Sequence, residues 1–183
     1  MRKLAIAIDG PAGAGKSSVA KILAANMGYA YLDTGAMYRA VTYEVLRREL
    51  TEERDIVALA AGMDMTVKPE ADAMHVIVNG HDVTDHIRSP EVSARVSAVS
   101  ALAGVRAAMV GIQRRQAAKG GIVLDGRDIG TTVLPHADVK IFLGIRSHES
   151  APPFQRNDGK ESGHDFGRGG KRYPEKGLAG QPS

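Results

Sequence analysis

The chain has 183 residues, a length that suits one domain with room for a small insertion, and a domain of that size buries about 70% of its unfolded surface without covalent staples. It contains no cysteine, which excludes disulfides and thiolate metal sites, and no apolar run approaches membrane-spanning length. A formal net charge of +3 and a pI near 9.2 favour anionic partners, a demand nucleotides meet as well as nucleic acid, while 4% aromatics and no tryptophan argue against a base-stacking platform.

The first element is an apolar run, Leu4 to Ile8, with the pattern of a buried strand. No secretory pattern precedes it, so the expected location is cytoplasmic. A glycine-rich turn follows, and Val19, Ile22, Leu23 and Met27 then recur at helical spacing. Within this strand–loop–helix context, Gly10 to Ser17 fits G-x-x-x-x-G-K-[ST], the phosphate-binding P-loop. Gly10, Gly13 and Gly15 let backbone N–H groups turn inward, and the helix N-terminus adds about half a positive charge. Lys16 is placed to reach the β- and γ-phosphates of a nucleotide, and the Ser17 hydroxyl to ligate Mg²⁺.

The first helix is expected over Ser17 to Met27, with Gly28 as its stop, followed by a short strand, Tyr29 to Leu32. Asp33 and Thr34 then cap a helix whose inner face is Met37, Val41 and Val45. Arg39 on its first turns opposes the helix dipole, which calls for either a bound anion or a salt bridge. A short helix from Thr51 to about Ala61 gives way to three short strands around Met65–Val67, His75–Val78 and His81–Val83. Asn79-Gly80 is a type I′ hairpin signal, so residues 63–89 form an antiparallel insertion. Its histidines, His75, His81 and His86, fit no metal-ligand spacing and are taken as strand and turn residues.

Ser89-Pro90 opens another helix with Val92, Val96 and Val99 inward. Ala103-Gly104 breaks it, and a further helix from Arg106 carries Met109 and Ile112 to Gly120-Gly121. Ile122-Val123-Leu124 is a buried strand with Asp125-Gly126-Arg127-Asp128 at its C-terminal tip, where open parallel sheets bind ligands. Val139 to Leu143 is the last apolar strand.

Three separated motifs, Ile8 to Ser17, Asp33-Thr34-Gly35-Ala36-Met37-Tyr38-Arg39 and Asp125-Gly126-Arg127-Asp128-Ile129-Gly130, carry a resemblance over residues 4–143 to the bacterial cytidylate kinases, a family of P-loop nucleoside monophosphate kinases. The resemblance implies an α/β, three-layer P-loop NTPase fold with a central parallel sheet and a small inserted antiparallel β subdomain. The core would comprise residues 1–62 and 90–143, with the insertion at 63–89. It implies transfer of the ATP γ-phosphate to CMP and dCMP with Mg²⁺, by a cytoplasmic monomer acting on small molecules without membrane or nucleic acid. Carried over by position, Gly10, Pro11, Ala12, Gly13, Ala14, Gly15, Lys16, Ser17 and Ser18 hold the ATP phosphates, with Ser17 on the metal. Thr34 and Arg39 contact the CMP phosphate or ribose, Arg106 and Arg127 clamp phosphate, Asp128 reads cytosine or ribose, and Ser97 contacts the base. Lys16, Arg127 and Asp128 are the expected catalytic residues. Asp9 and Asp125 both remain candidates to assist Mg²⁺. Gly104 stands where the family commonly has proline, and Ser18 where threonine is usual.

Residues 144–183 carry eight glycines and four prolines and no apolar period, so no independent fold is expected there. The family's arginine-rich lid, final strand and C-terminal helix are not visible. One-base slides of plausible codons for Glu149–Asp158 and Asp165–Leu178 give lid-like arginine-rich helices, which points to a frameshift. Lid arginines resemble arginine fingers, worth about 10³–10⁵ in rate, so little kinase activity is expected of this chain. A GTPase lacks its Asn-Lys-x-Asp motif, and a kinase of UMP or shikimate would be separated by ligand comparison. A non-catalytic nucleotide or nucleic-acid binder rests on the pI and on Gly167-Arg168-Gly169-Gly170-Lys171-Arg172, and phosphate-backbone binding would be steeply salt-dependent.

Overall fold

A computed structural model describes residues 2–69 and 74–144. The expectations placed on the tail from residue 145 onward lie outside the described residues. Four parallel strands form the central sheet in the order β2-β6-β1-β7: β1 (Ala5–Asp9), β2 (Ala30–Asp33), β6 (Ile122–Gly126) and β7 (Val139–Phe142). In register, Ile6 pairs with Val123 on one side and Val139 on the other, and Asp33 pairs with Asp125.

The strand period of two sorts these residues onto the two faces. Ile6, Ile8, Tyr31 and Val123 point to one face, where Ala20 and Ala24 of α1 (Lys16–Met27) cover them. Ala7, Leu32, Ile122 and Leu124 point to the other, against Met37 and Val41 of α2 (Thr34–Arg47) and Met109 and Ile112 of α5 (Ala103–Ala117). This is the expected three-layer α/β arrangement.

The helical spacing of Val19, Ile22, Leu23 and Met27 marks α1 correctly, but not its inward face. Val19, Ile22 and Met27 are exposed, Ile22 by 63%, and the buried positions are alanines. Small side chains let the helix axis sit close over β1 and β6, so its first turn follows directly on the loop that β1 feeds. Gly28 ends the helix as expected, in the left-handed conformation with its N–H on the Ala24 and Ala25 carbonyls.

Helix α2 buries Met37, Val41 and Val45, and Asp33 caps it by accepting from Ala36 N at 3.1 Å. Helix α3 (Glu53–Gly62) leads into a second sheet of antiparallel strands: β3 (Met65–Pro69), β4 (Met74–Val78) and β5 (His81–Asp82), in that order. The β4–β5 turn has Asn79 at φ 49° and Gly80 at φ 82°, both positive as a type I′ turn requires. His75 Nδ1 lies 2.6 Å from Asp82 Oδ2, and His86 stacks on Tyr43 at 5.2 Å. Helix α4 (Pro90–Ala101) starts with Ser89 Oγ accepting from Val92 N.

The break between α4 and α5 falls at Leu102, not at Ala103-Gly104, and turns the chain by 95°. Gly104 instead lies in the first turn of α5, where a Cβ would overlap the γ-methyls of Val57 on α3. The glycine serves helix–helix approach rather than helix termination. Between β6 and β7 the chain makes one π turn, Ile129–Val133. No single helix among the described residues is long and apolar enough to cross a membrane.

Candidate functional site

The loop from Gly10 to Gly15 joins β1 to α1 at the C-terminal end of the sheet. Gly10 has φ 153°, and a Cβ there would overlap the Leu143 carbonyl. Gly13 and Gly15 both have φ 78°. Lys16 Nζ donates to the Pro11 carbonyl at 2.7 Å, so the ammonium arches over the loop it terminates. Gly15 is the N-cap of α1 and uses no side chain for the purpose, which leaves the helix's first N–H groups facing the loop.

Asp125, at the tip of β6, is the most connected acid beside this loop. Its Oδ2 accepts from Ser17 Oγ at 2.8 Å, its Oδ1 from the Tyr31 hydroxyl at 2.9 Å, and its carbonyl from Thr34 Oγ1 at 2.8 Å. Burial pushes its carboxyl above the usual carboxylate range, with the Asp33 charge adding to the rise; the Ser17 and Tyr31 hydrogen bonds and Lys16 oppose it. Burial also raises the Tyr31 phenol, and Asp33 and Asp125 push the same way. Asp9 differs from Asp125. Both of its oxygens are taken by backbone: Ile129 N donates to Oδ1 at 2.6 Å and Gly130 N to Oδ2 at 2.8 Å.

Beyond the loop opens a cleft of about 440 Å³. Ala12, Gly13, Lys16 and Ser17 line one side, and Thr34, Arg39, Ser97, Arg106, Arg127 and Asp128 line the rest. All the acceptor-side residues expected from the sequence therefore meet the P-loop in one space, although they come from α2, α4, α5 and the end of β6. Gly10, Pro11, Ala14, Gly15 and Ser18 are not among the residues lining the cleft, and Ser18 lies in the first turn of α1. Arg106 Nη2 pairs with Asp128 Oδ2. Arg39 Nη1 donates to Ser93 Oγ at 2.8 Å and has no carboxylate partner among the described residues, so the salt bridge weighed as its explanation is not there. Arg127 is exposed at the rim.

Tyr38, Val96 and Ser100 are among the lining residues to which the sequence reading gave no site role. Tyr38 stands one position before Arg39 inside a quoted motif. Burial raises its phenol; the nearby Arg106 opposes the rise and Asp128 adds to it. Ser100 and the half-buried Val96 share α4 with Ser97 at helical spacing, and that spacing was the signal available. Tyr31, outside the lining, is found only through strand pairing: β2 lies beside β6, which brings its hydroxyl to Asp125.

The family model described as cytidylate kinase matches residues 6–163, continuing past Leu143, where the apolar pattern read from the sequence ends. A cytidylate kinase of Enterococcus faecalis is 48% identical over 169 residues, covering 91% of this chain and 75% of that protein. One from Desulfitobacterium hafniense is 53% identical over 152 residues, covering 82% and 65% respectively. One from Bacillus subtilis is 52% identical over 152 residues, covering 82% and 68%. The chain thus spans roughly two thirds to three quarters of the length of these relatives. With the P-loop, the Asp125 tip and three arginines gathered in one cleft, and with a family match over most of its length, this chain belongs to the cytidylate kinase family.

Proposed function

We propose that the chain binds ATP at its P-loop and transfers the γ-phosphoryl group to CMP, with dCMP as a second acceptor, at a low rate because the family's lid arginines are not visible in its sequence. The observation that carries this reading is the gathering of Lys16, Arg39, Arg106 and Arg127 around one cleft beside Ser17 and Asp125. Phosphoryl transfer needs positioning and charge stabilisation rather than a covalent nucleophile, and a cysteine-free cationic cleft fits that demand.

On this reading the loop amides of Gly10 to Ser18 and the Lys16 ammonium hold the donor phosphates. The guanidinium forks of Arg39, Arg106 and Arg127 seat the acceptor phosphate, a task for which planar bidentate donors suit better than lysine. Asp128, oriented by Arg106, faces the base or ribose together with Ser97. Thr34 fixes the backbone of Asp125.

The Ser17 hydroxyl and Asp125 carboxylate, 2.8 Å apart, are the hard oxygen donors that Mg²⁺ prefers, and they are the residues that would hold it. Asp9 does not line the cleft, and each of its oxygens accepts a backbone N–H of the π turn, which directs it away from that role. When bound, the metal neutralises charge on the donor phosphates. Residues 1–62 and 90–143 then form the core and 63–89 the acceptor-side insertion.

Isothermal titration of the purified chain with CMP, dCMP, UMP, AMP and Mg-ATP tests the reading. CMP is expected to bind tighter than AMP, and Arg127→Met to weaken CMP by about tenfold or more while leaving ATP within about twofold. Equal affinity for all four monophosphates, or binding of none, would remove it.

A further inference from the structure

Two residues of the proposed acceptor side of the cleft, Arg127 and Asp128, are followed at once by the π turn Ile129–Val133. Such a turn has backbone groups that its own geometry does not satisfy, and π segments recur at functional sites. Two side chains from elsewhere fix this one. From α5, Arg114 Nε donates to the Val133 carbonyl at 2.8 Å and Nη2 to the Thr132 carbonyl at 2.7 Å, which anchors the far end. From β1, the Asp9 carboxylate accepts from Ile129 N at 2.6 Å and Gly130 N at 2.8 Å, which anchors the near end.

Asp9 is the residue immediately before Gly10, the first residue of the P-loop. It is only 5% exposed and does not line the cleft, so it touches neither ligand directly. Gly130 allows the close approach: a Cβ there would lie 3.2 Å from Asp9 Oδ2 and 3.2 Å from Lys140 Cδ. One side chain therefore ties the start of the donor loop to the turn that presents Arg127 and Asp128.

We propose that Asp9 is a positioning residue that sets the spacing between the donor-phosphate loop and the acceptor clamp. The inference rests on the phosphoryl-transfer reading above. If Asp9 works this way, loosening it displaces Arg127 and Asp128 while the loop amides and Lys16 stay in place. A small displacement is costly wherever two reacting groups must be held in register.

The test uses the full chain and reads binding rather than turnover. Asp9→Asn keeps one acceptor oxygen but turns an N–H toward a backbone N–H. Gly130→Ala disturbs the same contact from the turn, away from the P-loop. Kd values for CMP and for Mg-ATP are measured separately by titration calorimetry, with circular dichroism melting to confirm folding. Selective loss of CMP affinity, by about tenfold, in both variants with ATP held within about twofold supports the proposal. Equal loss of both ligands overturns it, because Asp9 would then be shaping the P-loop alone. Unchanged CMP affinity in either folded variant also overturns it. If Asp9→Asn does not fold, Gly130→Ala decides by the same criteria. Failure of the wild-type chain to bind CMP would instead remove the functional reading on which the inference rests.

Discussion

Asp125 is held by three hydrogen bonds and still has its proton affinity raised, because burial and the facing Asp33 outweigh the donors. The sign of its effect on stability follows. A carboxyl whose folded-state pKa is raised contributes most below its unfolded value, about 3.9, and that contribution is lost as pH rises through the folded value. Asp125→Asn removes the penalty while keeping a side chain of the same shape. The variant is expected to melt higher than wild type at pH 8, with the difference shrinking toward pH 4, and to lose Mg²⁺-dependent ATP binding. A variant that melts lower at pH 8 would show the carboxylate to be net stabilising. Tyr31→Phe makes the complementary test. It leaves Asp125 Oδ1 without its donor in a buried place, at a cost of about 1–3 kcal/mol in denaturant titration.

Among the elements, those with a regular apolar period were legible in advance. Met37, Val41 and Val45 on α2 and the run Ile122-Val123-Leu124 are buried as read, because one face of a helix or both faces of a central strand must be apolar. What the sequence concealed was close approach. Alanine and glycine carry no hydrophobic signal, yet Ala20 and Ala24 are the contact face of α1, and Gly104 is where α3 meets α5. Gly104→Ala is expected to destabilise by about 1–3 kcal/mol through overlap with Val57, and Val57→Ala in the same chain to recover part of that loss in a double-mutant cycle. Gln113 was equally hidden. It is fully buried on α5, and neither amide atom has a hydrogen-bond partner among the described residues. Gln113→Met is expected to raise the unfolding free energy by about 1 kcal/mol or more. No gain, or a loss, would mean that a water satisfies the amide.

At the scale of the molecule, the site was more legible than the packing. Three motifs far apart in sequence, linked by their resemblance to one family, supply residues that line one cleft. The antiparallel insertion was visible as a change of period, but its relation to the core was not, since period says nothing about which surfaces join. Met63, Met65, Val76, Val78, Val83 and Ile87 belong to the same apolar cluster as Met37, Val41, Val105 and Met109. The insertion is thus expected to unfold with the core. Val76→Ala, at a fully buried position, should lower a single melting transition by about 2 kcal/mol equivalent; a separate early transition would show two cooperative units instead.

The end of β7 has a consequence of its own. Leu143 N donates to the Asp9 carbonyl at 2.8 Å, and its own carbonyl faces the bare Cα of Gly10, so the polypeptide leaves the sheet alongside the phosphate loop. Gly144 is exposed, and apart from its chain neighbours no described residue lies within 4 Å of where its Cβ would go. Because the 183 residues include no cysteine, Gly144→Cys would accept a single fluorophore beside the proposed donor site. Its emission should change with ATP and saturate at the concentration found by calorimetry, turning the strand's exit into an optical gauge of nucleotide occupancy.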